Sequence, residues 1–194
     1  MSRTLARTVS IIGHPTIVLP IAVLTLTLQN GNRTQAAWTV AGLVMFAVLV
    51  MVYSNWQVRR GRWSHVDASA VEERRALNGF LLLALGVVAV LAVVLDAPRQ
   101  LALGLSLSAG VVLLAIRLQS RCKLSLHMAF VVFAAVLLWA ANTVALIAGL
   151  AFAGLVAWSR LSLQRHQPGD IVAGAAAGAA AGLIFHAVTW YWTG

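Results

Sequence analysis

The sequence predicts an all-α fold, a polytopic bundle of transmembrane helices, and three observations lead to it. Hydrophobic residues make up 61% of the 194 residues, and charged residues make up only 10%. The mean hydropathy is +0.89, whereas a soluble domain of this length needs more charge to cover its surface. The apolar residues also form charge-free runs close to the roughly 20 residues that a helix needs to cross the hydrocarbon core of a bilayer.

Seven such runs predict seven spans, and the tight turn at Asn142 and Thr143 is what separates the fifth from the sixth. Without that turn the count is six. Because the spans take up most of the length, residues 1–194 are predicted to form a single integral membrane domain with no separate soluble domain. In chain order the predicted spans are 10–29, 37–57, 77–95, 100–117, 125–141, 143–158 and 170–191.

The loops between these spans carry their basic residues on one face of the membrane. Only Arg33 and Arg99 lie on the opposite face, and the other twelve of the 14 basic residues share one face. The positive-inside rule places that basic face in the cytoplasm, in a protein of a bacterial inner (plasma) membrane. The periplasmic orientation is the alternative, because arginines that serve a function report orientation poorly. The tryptophans support the division, since they fall at or near the span ends.

Three polar clusters lie on the basic face, at residues 59–75, 121–130 and 159–174. In the third, "HQPGD", His166 precedes Asp170 by four residues, and Pro168 suits the first turn of the last span. This spacing lets a carboxylate hold one imidazole nitrogen while the other remains a nucleophile. Taken alone, the pair is more typical of a structural histidine that caps a helix. A basic pocket at the membrane surface suits a phosphate group, because guanidinium groups bind its oxygens bidentately.

The stretch "SRLSLQRHQPGDIVAG", residues 159–174, resembles the third signature of the type 2 phosphatidic acid phosphatase superfamily. That superfamily contains lipid phosphatases related to vanadium haloperoxidases and glucose-6-phosphatase. Its signature is Ser-Arg, five residues, His, three residues and Asp, and Ser159, Arg160, His166 and Asp170 fill it without a gap. The resemblance is loose over residues 67–174 and strong over 159–174.

The other two signatures depart from the family pattern. Where the second normally reads Pro-Ser-Gly-His, this chain has Leu124-Ser125-Leu126-His127, so Ser125 and His127 keep their spacing while the proline and glycine are lost. Lys123 is the candidate that replaces the missing backbone donor. The first signature is absent in its usual form, and either Arg74 or Arg75, in "DASAVEERR", is expected to take its phosphate-binding role.

Carried onto these residues, the resemblance implies a two-step, metal-independent phosphatase reaction on a lipid phosphate or an isoprenoid (di)phosphate. His166 attacks phosphorus and forms a phosphohistidine, Asp170 orients His166, and His127 protonates the leaving group and later acts as the base toward water. The resemblance implies that the phosphate oxygens are held by Arg160, Ser125 and Lys123, together with one arginine of the pair Arg74 and Arg75.

No cofactor is implied, and a metal site made by His127, His166 and Asp170 is the alternative to the phosphohistidine scheme. Two other classes of function remain open, a non-catalytic membrane protein that binds lipid phosphate and a small transporter. The spans carry almost no ionisable residue that could line a transport path. The expected partners are the membrane and its lipid substrate, with no nucleic acid. Two further interpretations concern packing: His186 is a core histidine bonded across helices, and the repeat "GAAAGAAAG" from Gly174 to Gly182 lets a neighbouring helix approach closely.

Overall fold

The computed structural model describes residues 3–29, 33–64 and 70–193, and all regular secondary structure within these ranges is helical. The all-α prediction is therefore confirmed. Residues 65–69, part of the first polar cluster, lie outside the described residues. The α-helices in the described ranges are α1 (Arg3–Ile12), α2 (Pro15–Gln29), α3 (Arg33–Arg59), α4 (Val71–Val94), α5 (Arg99–Leu118), α6 (Leu126–Leu137), α7 (Thr143–Ser162) and α8 (Pro168–Thr193).

Five of the described helices are long and apolar enough to cross a membrane: α3 from Thr39 onward, α4, α5, α7 and α8. The bent pair α1 and α2 raises the number to six, which confirms a polytopic bundle. The predicted span 125–141 is shorter than expected. Helix α6 has 12 residues and continues as a single 3-10 turn over Leu138–Ala140. Its length of about 24 Å is less than the roughly 30 Å of the hydrocarbon core.

The predicted first span, 10–29, is divided by a bend of 48° between α1 and α2. The bend follows from Pro15, because a proline disfavours helical geometry in the residue before it, here His14. Gly13 lies at the same point, and a Cβ atom on Gly13 would run into the side chain of Val156. The glycine therefore lets the end of α1 lie directly against α7.

Helix α6 forms the centre of the bundle, because every residue from Met128 to Leu137 is buried by protein. Helix α8 lies against it along the glycine repeat. A Cβ on Gly174 would lie 2.5 Å from the carbonyl oxygen of Ser125, and one on Gly182 would lie 2.5 Å from Val136 Cγ1. The predicted close approach is confirmed, and its partner is α6. Such van der Waals contact is a main source of helix association in a bilayer.

The interpretation of His186 as a core histidine is also confirmed. Its Nε2 lies 2.7 Å from the backbone oxygen of Val136, so the ring links α8 to α6 near the end remote from the polar clusters. Together, the glycine repeat and this bond fix the register of α8 on α6, and that register decides where the first turn of α8 lies.

Candidate active site

The third polar cluster owes its shape to the way α7 ends. The N–H of Arg165 donates to the carbonyl of Arg160 at 3.1 Å, and the N–H of Gln164 donates to the carbonyl of Leu161 at 2.9 Å. This is the Schellman pattern of a helix C-terminus, and it requires a left-handed residue, here Gln164 with φ of 54°. The turn reverses the chain within a few residues. It leaves His166 between the end of α7 and the start of α8.

Asp170 joins the second and third clusters. Its Oδ2 accepts the N–H of Gln167 at 3.0 Å, which caps the first turn of α8. Its Oδ1 accepts the backbone N–H of Lys123 at 2.9 Å, and its own carbonyl accepts the N–H of Ser125 at 3.1 Å. Two segments that are 47 residues apart are thus held together by one buried residue.

The nucleophile predicted by the sequence lies beside this carboxylate. His166 Nδ1 is 3.4 Å from Asp170 Oδ2, and the alignment is looser than that of a hydrogen bond. Catalytic contacts are often long in unliganded enzymes and shorten when substrate binds. Burial, followed by the Arg160 guanidinium, lowers the pKa of His166 to about 4, although Asp170 opposes the shift. The imidazole is therefore neutral at neutral pH, which is the form a nucleophile requires.

The Ser-Arg pair of the third cluster is buried against α1. Ser159 is fully buried, and its hydroxyl donates to the carbonyl of Ala6 at 2.7 Å. The Nη1 of Arg160 donates to Ser10 Oγ at 2.9 Å, and Arg160 is only 6% exposed. A guanidinium this deeply buried is held in place before any ligand arrives, as electrostatic stabilisation of a phosphoryl group requires.

The second cluster contributes His127 and Ser125 in different ways. His127 lies in the first turn of α6, close enough to His166 and Arg160 for their charges to act on it. Ser125 is fully buried, and its hydroxyl accepts the N–H of Met128 at 3.4 Å as the N-cap of α6. In this structure Ser125 therefore serves as a helix cap. Its phosphate-binding role stays a prediction.

The three remaining candidates for phosphate binding lie at different places around the site. The charge of Arg74, in the first turn of α4, acts on His166. Arg75 is exposed and points its Nε to Gln119 Oε1, 3.5 Å away at the end of α5. Lys123 contributes its backbone N–H to Asp170, and its side chain lies at the rim. The charge of Arg74 thus acts on His166, whereas the side chain of Arg75 contacts Gln119.

A third imidazole, from outside the three polar clusters, lies in the site. The ring of His14, at the break between α1 and α2, meets the ring of His127 edge-on, with centroids 4.9 Å apart and an interplanar angle of 86°. One signal for it was available. Ala6, Ser10 and His14 are spaced by four residues, and such spacing places them on one face of a helix.

The site thus gathers a neutral imidazole beside a carboxylate, a second imidazole, a buried guanidinium and the positive end of the α8 dipole. Within the described residues there is no group of three or more His, Cys, Asp or Glu side chains that could hold a metal ion. The arrangement can bind a phosphate anion, attack its phosphorus and exchange protons with a leaving group.

Comparison with known proteins gives one result that bears on this site. Residues 119–194 match the family model of the PAP2 superfamily, and this range contains the second and third clusters together with α6, α7 and α8. No curated protein and no solved structure matches the chain.

Proposed function

Because residues 119–194 match the family model of the PAP2 superfamily, we propose that the chain is an integral membrane phosphatase of that superfamily. Its substrate is a lipid phosphate or an isoprenoid (di)phosphate, and its intermediate is a phosphohistidine. The observation that carries the proposal is the His166–Asp170 contact of 3.4 Å beside the buried Arg160. Five to six candidate spans support a substrate that resides in the same membrane.

In the first step, the neutral His166 attacks phosphorus, and the bond from phosphorus to the leaving oxygen breaks. The leaving oxygen takes the electron pair and receives a proton from His127. Asp170 stabilises the imidazolium side of His166 through Nδ1, which leaves Nε2 to form the new N–P bond. Arg160 and Arg74 face the growing charge on the phosphoryl oxygens.

In the second step, water attacks the phosphohistidine and His127 removes its proton. Inorganic phosphate leaves, and His166 returns to its neutral form. The side chains of Lys123 and Ser125 are assigned a supporting part in binding phosphate. Lys123 can reach a phosphate from the rim, whereas Ser125 acts by shaping the loop that precedes His127.

The test is phosphate release by purified protein in mixed micelles of detergent and phosphatidate, phosphatidylglycerol phosphate or a polyprenyl diphosphate. We expect His166→Ala to abolish release and the labelled phosphoenzyme, because the nucleophile is gone. The matched control is His186→Gln, whose amide still reaches the Val136 oxygen. It lies on the same helix about 27 Å from its start, and its turnover should equal that of the parent protein. Retained turnover in the His166 variant contradicts the mechanism.

A second candidate function is the binding of lipid phosphate without hydrolysis. It is favoured by the loss of the family's glycine at Leu126 and by the full burial of Ser125. The test is binding to phosphatidate vesicles. Binding without hydrolysis is selected over the phosphatase function if the His127→Ala and His166→Ala variants bind the vesicles as well as the parent protein does, and if the parent protein releases no phosphate from them.

We further propose that the site faces the cytoplasm of a bacterial cell, as the excess of basic residues on its face supports. Single cysteines at Ser162, beside the site, and at Asp96, between α4 and α5, test it in a Cys122→Ser background. An impermeant maleimide applied to intact cells should label the Asp96 position and spare the Ser162 position. The reverse pattern places the site outside the cytoplasm.

A further inference from the structure

Helix α1 and the break that follows it form one wall of the candidate site through three residues spaced by four. The carbonyl of Ala6 accepts from Ser159, the hydroxyl of Ser10 accepts from Arg160, and the ring of His14 meets His127. The family match begins only at residue 119, so this wall comes from a part of the chain that the match does not cover. The contacts of Ala6 and Ser10 hold the side chains of Ser159 and Arg160 in place. The third brings a titratable ring against a catalytic one.

The position of the His14 ring is itself fixed. The backbone N–H of Thr16 donates to His14 Nδ1 at 3.3 Å, and Thr16 Oγ1 lies 2.7 Å from the same nitrogen. Because Nδ1 accepts the backbone N–H, the neutral ring carries its proton on Nε2. The ring is held by the residue that follows Pro15, so the bend between α1 and α2 is what aims it at His127.

We propose that His14 is a positioning residue for His127, and that its edge-on ring contact holds the His127 imidazole in the orientation from which it protonates the leaving oxygen. The inference rests on the proposed phosphatase function. Edge-to-face packing is a preferred geometry for ring pairs and resists rotation of either ring. His127 lies in the first turn of α6, and its ring packs edge-on against that of His14 with centroids 4.9 Å apart.

A positioning role for His14 has a consequence that a purely structural role lacks. A proton from His127 matters when the leaving group is a strongly basic alkoxide and matters little when it is a weakly basic phenolate. Loss of His14 should therefore slow the first step for alkyl phosphates and leave aryl phosphates nearly unaffected. Loss of packing alone would slow both by the same factor.

The experiment compares kcat/KM for benzyl phosphate and 4-nitrophenyl phosphate, which are similar in size and differ in leaving-group basicity. For His14→Ala we expect a loss of about 30- to 100-fold on benzyl phosphate and less than about threefold on 4-nitrophenyl phosphate, since general acid catalysis contributes on this scale. His127→Ala should show a larger loss on benzyl phosphate and again little loss on 4-nitrophenyl phosphate. The variant that combines His14→Ala with His127→Ala should lose no more than His127→Ala alone. Ile11→Ala, an exposed position on α1, should match the parent protein on both substrates.

Two milder variants keep the test decisive if His14→Ala folds poorly. Thr16→Val removes the hydroxyl beside Nδ1 and keeps both rings, and it should lose about threefold to tenfold on benzyl phosphate alone. His14→Phe keeps an edge-on ring but loses both contacts of Nδ1 with Thr16, so its loss on benzyl phosphate should resemble that of Thr16→Val and stay well below that of His14→Ala.

Equal losses on the two substrates in the Ala and Val variants overturn the inference and leave the phosphatase function standing. A Phe variant with the pattern of the Ala variant overturns the ring-contact account. Absence of phosphate release by the parent protein from these two substrates, and from phosphatidate, phosphatidylglycerol phosphate and a polyprenyl diphosphate, overturns the proposed function and the inference with it.

Discussion

Helices α4 and α8 begin in the same way, but the carboxylates that cap them have different roles. Each starts on the basic face, and in each an acidic residue in the first turn caps the helix: Glu73 Oε2 accepts the N–H of Ala70 at 3.0 Å, as Asp170 Oδ2 accepts that of Gln167. The second oxygen makes the difference. Glu73 Oε1 accepts the N–H and hydroxyl of Ser64 within its own loop, whereas Asp170 Oδ1 reaches Lys123 in another segment.

A capping carboxylate thus acquires a chemical role from its neighbours. Asp170 lies beside His166, and its hydrogen bonds to two segments fix the carboxylate in the position where that imidazole needs it. Glu73 joins Ser64 to the first turn of α4, and the charge of the next residue, Arg74, acts on His166. The same local rule of helix capping produces a structural residue at one helix and a candidate catalytic residue at the other.

The two helices also differ along their length. Helix α8 lies with its glycines against the α6 backbone, whereas a Cβ added to Gly79 or Gly86 of α4 would meet no neighbouring atom within 4 Å. Large residues of α4 such as Leu83 and Val94 are about two-thirds exposed on the protein, as expected of a helix that faces lipid. A glycine is therefore required in α8 and replaceable in α4.

The largest expected effect separates the two carboxylates. Asp170→Asn keeps the shape but loses the charge that supports His166, and its amide nitrogen must face one of the two backbone N–H groups. We expect kcat to fall about 10³- to 10⁴-fold, the scale known for a buried aspartate behind a catalytic histidine. In Glu73→Gln the new amide nitrogen must likewise face a hydrogen-bond donor at the start of α4. This variant should keep turnover within about threefold of the parent protein while losing about 1 kcal/mol of stability. Equal rate losses in the two variants would remove the distinction.

The next effect concerns protonation of His166. With a pKa of about 4, about nine-tenths of the imidazole is neutral at pH 5, against about 3% for a group with the usual value of 6.5. Since the folded-state pKa is lowered, this group's contribution to stability is fully present above about pH 6.5 and is lost as the pH falls from there toward 4. Titration of the ¹³Cε1 signal of His166, assigned with His166→Gln, measures the value directly. A midpoint near 6.5 contradicts the burial of this ring.

The smallest expected effect is on stability and compares a glycine of α8 with a glycine of α4. A Cβ on Gly178 would collide with the backbone oxygen of Ala129, and backbone yields less readily than a side chain. We expect Gly178→Ala to destabilise the protein by about 1–3 kcal/mol, the usual range for overpacking. Gly86→Ala, in open space on α4, should stabilise its helix by roughly 0.5–1 kcal/mol. Thermal unfolding in detergent compares them, and a Gly178 variant as stable as the Gly86 variant would contradict the α6–α8 contact.

Prediction from the sequence succeeded where the physics is local or periodic. The all-α membrane bundle followed from apolar runs, the packing of α8 followed from glycines spaced by four, and the His166–Asp170 pairing followed from a spacing of four across a helix start. The family match over residues 119–194 agrees with the resemblance found in the third cluster. The division of the first span at His14, with its 48° bend, escaped prediction, although Pro15 was there to indicate it.

Other features needed contacts between distant segments. The choice between Arg74 and Arg75 depends on which side of α4 faces the site, and one position along a helix turns a side chain by about 100°. The capping role of Ser125 depends on how α6 begins. The shortness of α6 escaped the hydropathy pattern, because a helix buried by protein and a helix surrounded by lipid are equally apolar.

By itself the sequence determined the helical class, and it predicted the basic face and the candidate residues for phosphoryl chemistry, because composition, charge and helical spacing are properties of the chain alone. The tertiary structure decided which of those residues meet: Asp170 with the Lys123 backbone, Arg160 with Ser10, and His127 with His14. The first two of those contacts join segments 47 and 150 residues apart. Their geometry depends on how the helices pack, and no local spacing encodes it.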